Sequence, residues 1–103
     1  MSRAVVVRYR VKPEALQENL QLVRAVYDEL NATGPYELQY STYRVDERTF
    51  FHVALIDGTE NPLDAVSAFK AFTAGIGDRC DEGPQALSGE VVGSYMRQGC
   101  QSS

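Results

Sequence analysis

Apolar residues first recur at every second position. In Ala4-Val5-Val6-Val7-Arg8-Tyr9-Arg10-Val11, Val5, Val7, Tyr9 and Val11 share one face and Val6, Arg8 and Arg10 the other, which reads as a β-strand. Lys12-Pro13-Glu14 ends it and opens a helix. Pro13 suits a first turn, where its missing N–H costs nothing, and Glu14 meets the positive end of the helix dipole. From Ala15 to Ala32 the apolar spacing becomes helical, at Leu16, Leu20, Val23, Tyr27 and Leu30, with Gln17, Gln21, Arg24 and Asp28 opposite. Gly34 and Pro35 close that helix. Alternation returns over Tyr36–Val45 and Thr49–Asp57, and the short Asp46-Glu47-Arg48 link predicts a hairpin. Matching Leu38, Tyr40 and Thr42 with Phe51, Val53 and Leu55 gives the more consistent apolar face and is the expected register. A second helix opens at Asn61-Pro62 and runs to about Gly75 or Arg79, burying Leu63, Val66, Phe69, Phe72 and Ile76. Asp81-Glu82-Gly83-Pro84 reads as a loop. A fourth strand is expected within Leu87–Met96, with Val91, Gly93 and Tyr95 on one face.

Strand, helix, strand, strand, helix, strand is the split βαβ order of an α+β, ferredoxin-like antiparallel sheet. Two helices cover one face of such a sheet. The other face would carry Val6, Phe50, Ala54, Ile56, Val92 and Met96 beside Arg8, Gln39, Ser41, Tyr43 and His52. That is too apolar for a wet surface, so a homodimer is expected to bury it. At 103 residues the chain is one domain, taken as 1–97, with 98–103 expected to be a flexible tail. A net charge of −4 argues against nucleic acid and anionic membranes as partners. No apolar run reaches the ~20 residues of a membrane span. The N-terminus shows no secretory leader, so a cytoplasmic location is expected. Cys80 and Cys100 then read as free thiols, and one histidine without a C-x-x-C pair gives no metal site.

These residues resemble the antibiotic biosynthesis monooxygenase superfamily. The likeness spans Ala4 to Met96. It rests on the element order, the Lys12-Pro13-Glu14 helix start, the Gly34-Pro35 turn, and Asp57 closing the third strand before a helix bearing Ser67 and Phe69. The resemblance implies a dimeric α/β barrel and cofactor-independent oxygenation of a small aromatic, polyketide-like or quinol substrate. The superfamily also holds lactone isomerases, haem-degrading enzymes and proteins without known activity. Where many members carry a helical histidine this chain has Asp64. Where many carry an acidic residue and a tryptophan it has Val53 and Leu55, and it contains no tryptophan. Haem chemistry is therefore disfavoured, and no cofactor is expected.

Candidate chemistry rests on few groups. His52 is the side chain whose ordinary pKa lies nearest neutrality and is the candidate base, the alternative being a hydrogen-bonded structural histidine. Arg8, with Arg10 on the same face, is the candidate partner for an enolate or anionic group, the alternatives being an ion pair with a carboxylate such as Glu90 or Asp57, or a solvated edge position. Tyr9, Tyr27, Tyr40, Phe51, Phe69, Phe72 and Tyr95 are candidates to line an aromatic-binding cleft between sheet and helices, or else are core. Asp57, Glu60 and Asp64 read as helix capping rather than catalysis. A non-catalytic small-molecule-binding dimer and a proton-transfer isomerase or cyclase stand beside the monooxygenase reading.

Overall fold

A ten-residue central strand, β1 (Ser2–Val11), organises the chain. The computed structural model describes residues 2–35 and 38–95. Expectations placed on Tyr36, Met96, Cys100 and the 98–103 tail lie outside the described residues. A 3-10 turn at Pro13–Ala15 leads into α1 (Leu16–Thr33), then β2 (Leu38–Arg44) and β3 (Thr49–Asp57). A second 3-10 turn at Pro62–Ala65 precedes α2 (Ser67–Ala74), α3 (Ile76–Arg79) and β4 (Cys80–Glu90). The sheet order is β2-β3-β1-β4, with all neighbours antiparallel. This is the α+β ferredoxin-like arrangement that the element order predicts. Among the described residues no helix is long and apolar enough to cross a membrane.

α1 ends where Gly34 takes the left-handed conformation (φ 62°) and its N–H bonds the Leu30 carbonyl at 2.8 Å. The buried centre of its face is Ala15, Asn19 and Val26, one step round the helix from the expected stripe. Leu16, Leu20, Val23 and Leu30 pack along the flank. The second helical segment is broken at Val66, which is extended (φ −94°, ψ 112°) and buried. Glu29 of α1 supplies the missing cap, accepting from the Ser67 N–H, the Ser67 hydroxyl and the Ala68 N–H. Those bonds, that from Ala68 foremost, hold the Glu29 carboxyl below its usual range. Leu63, Val66, Phe72 and Ile76 are buried as expected.

Two expectations are overturned. The hairpin register pairs Tyr40 with Ala54, Thr42 with His52 and Tyr43 with Phe51. His52 therefore faces the helices, and Phe51, Val53 and Leu55 face away, the reverse of the expected arrangement. The loop decides this. Asp46 Oδ1 accepts from the N–H groups of Arg48 (3.0 Å) and Thr49 (2.9 Å), and Val45 N–H bonds the Thr49 carbonyl (2.9 Å). That four-residue connection sets Arg44 opposite Phe50. The fourth strand also comes earlier than expected. Cys80–Glu90 pairs with β1 from Val11 opposite Cys80 to Arg3 opposite Glu90, with irregularity around Arg10. Gly83 sits inside that strand at φ 85°, where a Cβ would lie 2.8 Å from the Arg8 carbonyl oxygen. Gly83-Pro84 is thus a bulge in an edge strand, not a loop. Residues 91–95 have no regular structure, and Val92 and Tyr95 are exposed.

Candidate functional site

The three antiparallel registers bring four polar side chains together beneath the helices. β1 contributes Tyr9, β2 Tyr40 and Thr42, and β3 His52, all on the covered face because their positions share parity in the pleat. The Tyr9 hydroxyl lies 2.7 Å from His52 Nε2. The Tyr40 hydroxyl lies 2.7 Å, and Thr42 Oγ1 3.1 Å, from His52 Nδ1. Tyr27 of α1 stands beyond, its hydroxyl 2.8 Å from Thr42 Oγ1 and its ring stacked on Tyr40. On the other side Asn19 Nδ2 donates to the Tyr9 oxygen at 2.9 Å. Arg79 Nε donates to Asn19 Oδ1 at 3.3 Å, and Arg79 Nη2 donates to the Phe72 carbonyl at 2.6 Å. The Arg79 guanidinium also lies 5.3 Å from the Phe72 ring centroid. Asn19, Arg79, Tyr9 and His52 are all buried, so the chain is a dry, paired polar network.

A cavity of about 310 Å³ lies against this network, between the sheet and α2. Its walls are mostly apolar, from Val5, Val7, Leu63, Phe69, Phe72 and Ala86, with Tyr40 and His52 bordering it. Of the other polar lining residues, Thr73 donates to the Lys70 carbonyl and Asn61 accepts from the Leu63 N–H. This volume is at the small end for a ligand site. A wider groove of about 680 Å³ at Arg3, Thr59, Glu60 and Asp64 is lined by exposed and half-exposed residues and holds no such network.

Burial sets the protonation states. It lowers the His52 pKa from 6.5 to about 4, so the imidazole is neutral near neutrality. It raises Tyr9 and Tyr40, with hydrogen bonds from Asn19 and Thr42 opposing it in part, and keeps both phenols protonated. Tyr27 is raised by burial as well. The site thus offers neutral, directed hydrogen bonds rather than a formal charge. Among the described residues no cluster of three or more His, Cys, Asp or Glu can hold a metal ion.

The sequence matches no protein-family model and no curated protein. Its architecture does match solved structures. A protein of unknown function from Nitrosomonas europaea superposes with TM-score 0.73 at 14% identity, covering 95% of this chain and 96% of that one. A provisionally assigned antibiotic biosynthesis monooxygenase from Chloroflexus aurantiacus J-10-fl gives 0.67 at 11% identity, covering 93% and 98%. A further antibiotic biosynthesis monooxygenase gives 0.61 at 22% identity, covering 90% and 100%. The chain has the antibiotic biosynthesis monooxygenase fold. At these identities the likeness concerns the fold and leaves activity to the site.

Within this monooxygenase-like fold the expected site residues divide. Tyr40, His52, Phe69 and Phe72 border the cavity. Tyr9 stands behind His52, and Tyr27 behind Tyr40, as supports. Arg8 and Phe51 lie across the sheet from the cavity, opposite each other on β1 and β3. Arg8 pairs there with Glu82 at 3.3 Å, and Arg10 with Asp81 and Glu82. Tyr95 is 88% exposed, in the segment past β4. Asn19 and Arg79 are the functional candidates that sequence reasoning missed. Asn19 carried a signal, since it is in helical phase with Ala15, Leu22 and Val26. Arg79 carried none, because its burial depends on the short α3 turning it under Phe72.

Proposed function

We propose that the cavity beneath α2 binds a small apolar ring compound, and that the protein is a cofactor-independent monooxygenase of aromatic, polyketide-like or quinol substrates. The observation that carries this reading is the His52–Tyr40 pair at the wall of an otherwise apolar cavity. Phe69, Phe72 and Tyr40 offer ring faces and edges to a planar guest. Tyr40, backed by His52, holds its oxygen, and the enclosure excludes water. For a methylene between two rings, the reaction converts CH₂ and O₂ to C=O and H₂O, with the substrate supplying all four electrons that reduce O₂ and both hydrogens of the water. With a pKa near 4 and both ring nitrogens hydrogen-bonded within the protein, His52 is a poor base, so the substrate must itself be acidic at the reacting carbon. Arg8, across the sheet, takes no part in this scheme.

The same lowered His52 pKa favours a second reading, a non-catalytic binding protein. Oxygen uptake with an anthrone and hydroquinone panel, run beside thermal stabilisation by the same compounds, separates the two. Turnover supports the monooxygenase. Stabilisation without turnover supports the binder, and product formed without oxygen supports an isomerase or cyclase.

We also infer that the sheet's uncovered face pairs two copies of the chain. Val6, Phe51, Val53 and Leu55 are half-buried there, and Leu87 is 72% exposed. An apolar stripe of this kind is suited to a symmetric partner. Size-exclusion chromatography with light scattering tests it, and a strict monomer at roughly tens of micromolar overturns it.

A further inference from the structure

The hydrogen-bond chain behind the cavity has one consistent direction, because it starts at a group that cannot accept. Arginine only donates, so Arg79 Nε fixes Asn19 Oδ1 as an acceptor. The Asn19 amide then turns Nδ2 to the Tyr9 oxygen. Having accepted that N–H, Tyr9 directs its own hydrogen at His52 Nε2, 2.7 Å away. A neutral imidazole carries one hydrogen, which is left on Nδ1, facing the Tyr40 oxygen at 2.7 Å and Thr42 Oγ1 at 3.1 Å. Tyr40 accepts it and keeps its own hydroxyl hydrogen. An acceptor oxygen on a guest in the cavity can then take that hydrogen.

We propose that Asn19 and Arg79 are positioning residues that hold His52 in its Nδ1–H tautomer, so that Tyr40 presents a donor to the cavity. The site then selects apolar ring compounds bearing a carbonyl or similar acceptor oxygen. The ligand half of this inference rests on the cavity being the binding site; the tautomer half does not.

His52 is the single histidine of the chain. A long-range ¹H–¹⁵N spectrum of the labelled full chain near neutral pH therefore shows one imidazole. The expected pattern is a protonated Nδ1 and a bare Nε2. In Asn19→Asp the carboxylate accepts from both Arg79 and Tyr9, so Tyr9 reverses and the His52 hydrogen moves to Nε2. A merely space-filling Asn19 would not move it. An Nε2–H wild type overturns the relay, as does an unchanged tautomer in an Asn19→Asp protein with wild-type circular dichroism. The wild-type spectrum decides alone should that variant not fold. For the ligand half the probes are 1-tetralone and its hydrocarbon counterpart tetralin, titrated into the same protein. The ketone is expected to bind about 2- to 10-fold more tightly, the range of one net hydrogen bond, and Tyr40→Phe should bring the two level. Equal wild-type affinities overturn acceptor selection. Binding of neither overturns the cavity reading and the ligand half with it, while the spectrum still decides the tautomer.

Discussion

The two faces of the sheet carry similar side chains and do different work with them. The covered face holds Val5, Val7, Tyr9, Tyr40, Phe50, His52 and Ile56, and its polar atoms lie in one dry chain of directed hydrogen bonds. The opposite face holds Val6, Phe51, Val53 and Leu55, and its arginines Arg8 and Arg10 form ion pairs with Asp81 and Glu82, each about a third to a half exposed. A hydrogen bond shielded from water is strong and fixed, whereas an exposed ion pair is screened and contributes little. Directed hydrogen bonding therefore belongs to the covered face, where the proposed site lies. The other face suits recognition of a second copy.

The sharpest way to break this contrast is to remove one ring from each side. Phe72 is buried and touches Tyr9, His52, Phe69 and Arg79. Phe72→Ala should cost about 3–5 kcal/mol in urea unfolding. Leu87→Ala, at an exposed site, should stay within about 0.5 kcal/mol for the isolated subunit. Equal losses would mean that the faces do not differ in packing.

Acid comes next in size. The folded pKa of His52, about 4, lies below its ordinary 6.5, so as pH falls the unfolded chain takes up the proton first. The stability gained from burying a neutral ring is complete above about pH 6.5 and fades toward pH 4, a loss of about 3 kcal/mol. Unfolding titrations of wild type and His52→Gln should diverge in that window. Parallel curves would place His52 in contact with water.

Tyr9→Phe removes the hydroxyl joining Asn19 to His52 and leaves two buried groups short of a partner. It should cost about 1–3 kcal/mol. Adding Asn19→Leu should cost less than the sum of the two single changes, since both act on one network. Arg8→Gln should have the smallest effect, below about 1 kcal/mol for a half-exposed pair. It should leave ligand affinity unchanged, and a loss of affinity would relocate the site to the other face.

Element order was legible because it depends on periodicity and on breakers such as Pro13, Gly34 and Pro62, which act locally. The face of His52 was not, because β3 is apolar on both sides: Phe50, Ala54 and Ile56 alternate with Phe51, Val53 and Leu55, and neither set declares itself the core. The register was decided outside the strands, by Asp46 gathering two backbone N–H groups. The start of β4 was hidden by Gly83-Pro84, whose turn-like chemistry here serves a bulge against β1. Of the site, the aromatic residues around the cavity were readable from spacing. The Arg79–Asn19–Tyr9 chain was not, because it joins residues 10 and 60 positions apart through α3.

The most direct test is methyl and imidazole NMR of the full chain titrated with 1-tetralone. Perturbation of His52 together with the methyls of Leu63, Val5 and Ala86 is the result expected of a site beneath α2. Perturbation confined to Val6, Val53 and Leu87 across the sheet, or none at either face, would contradict it.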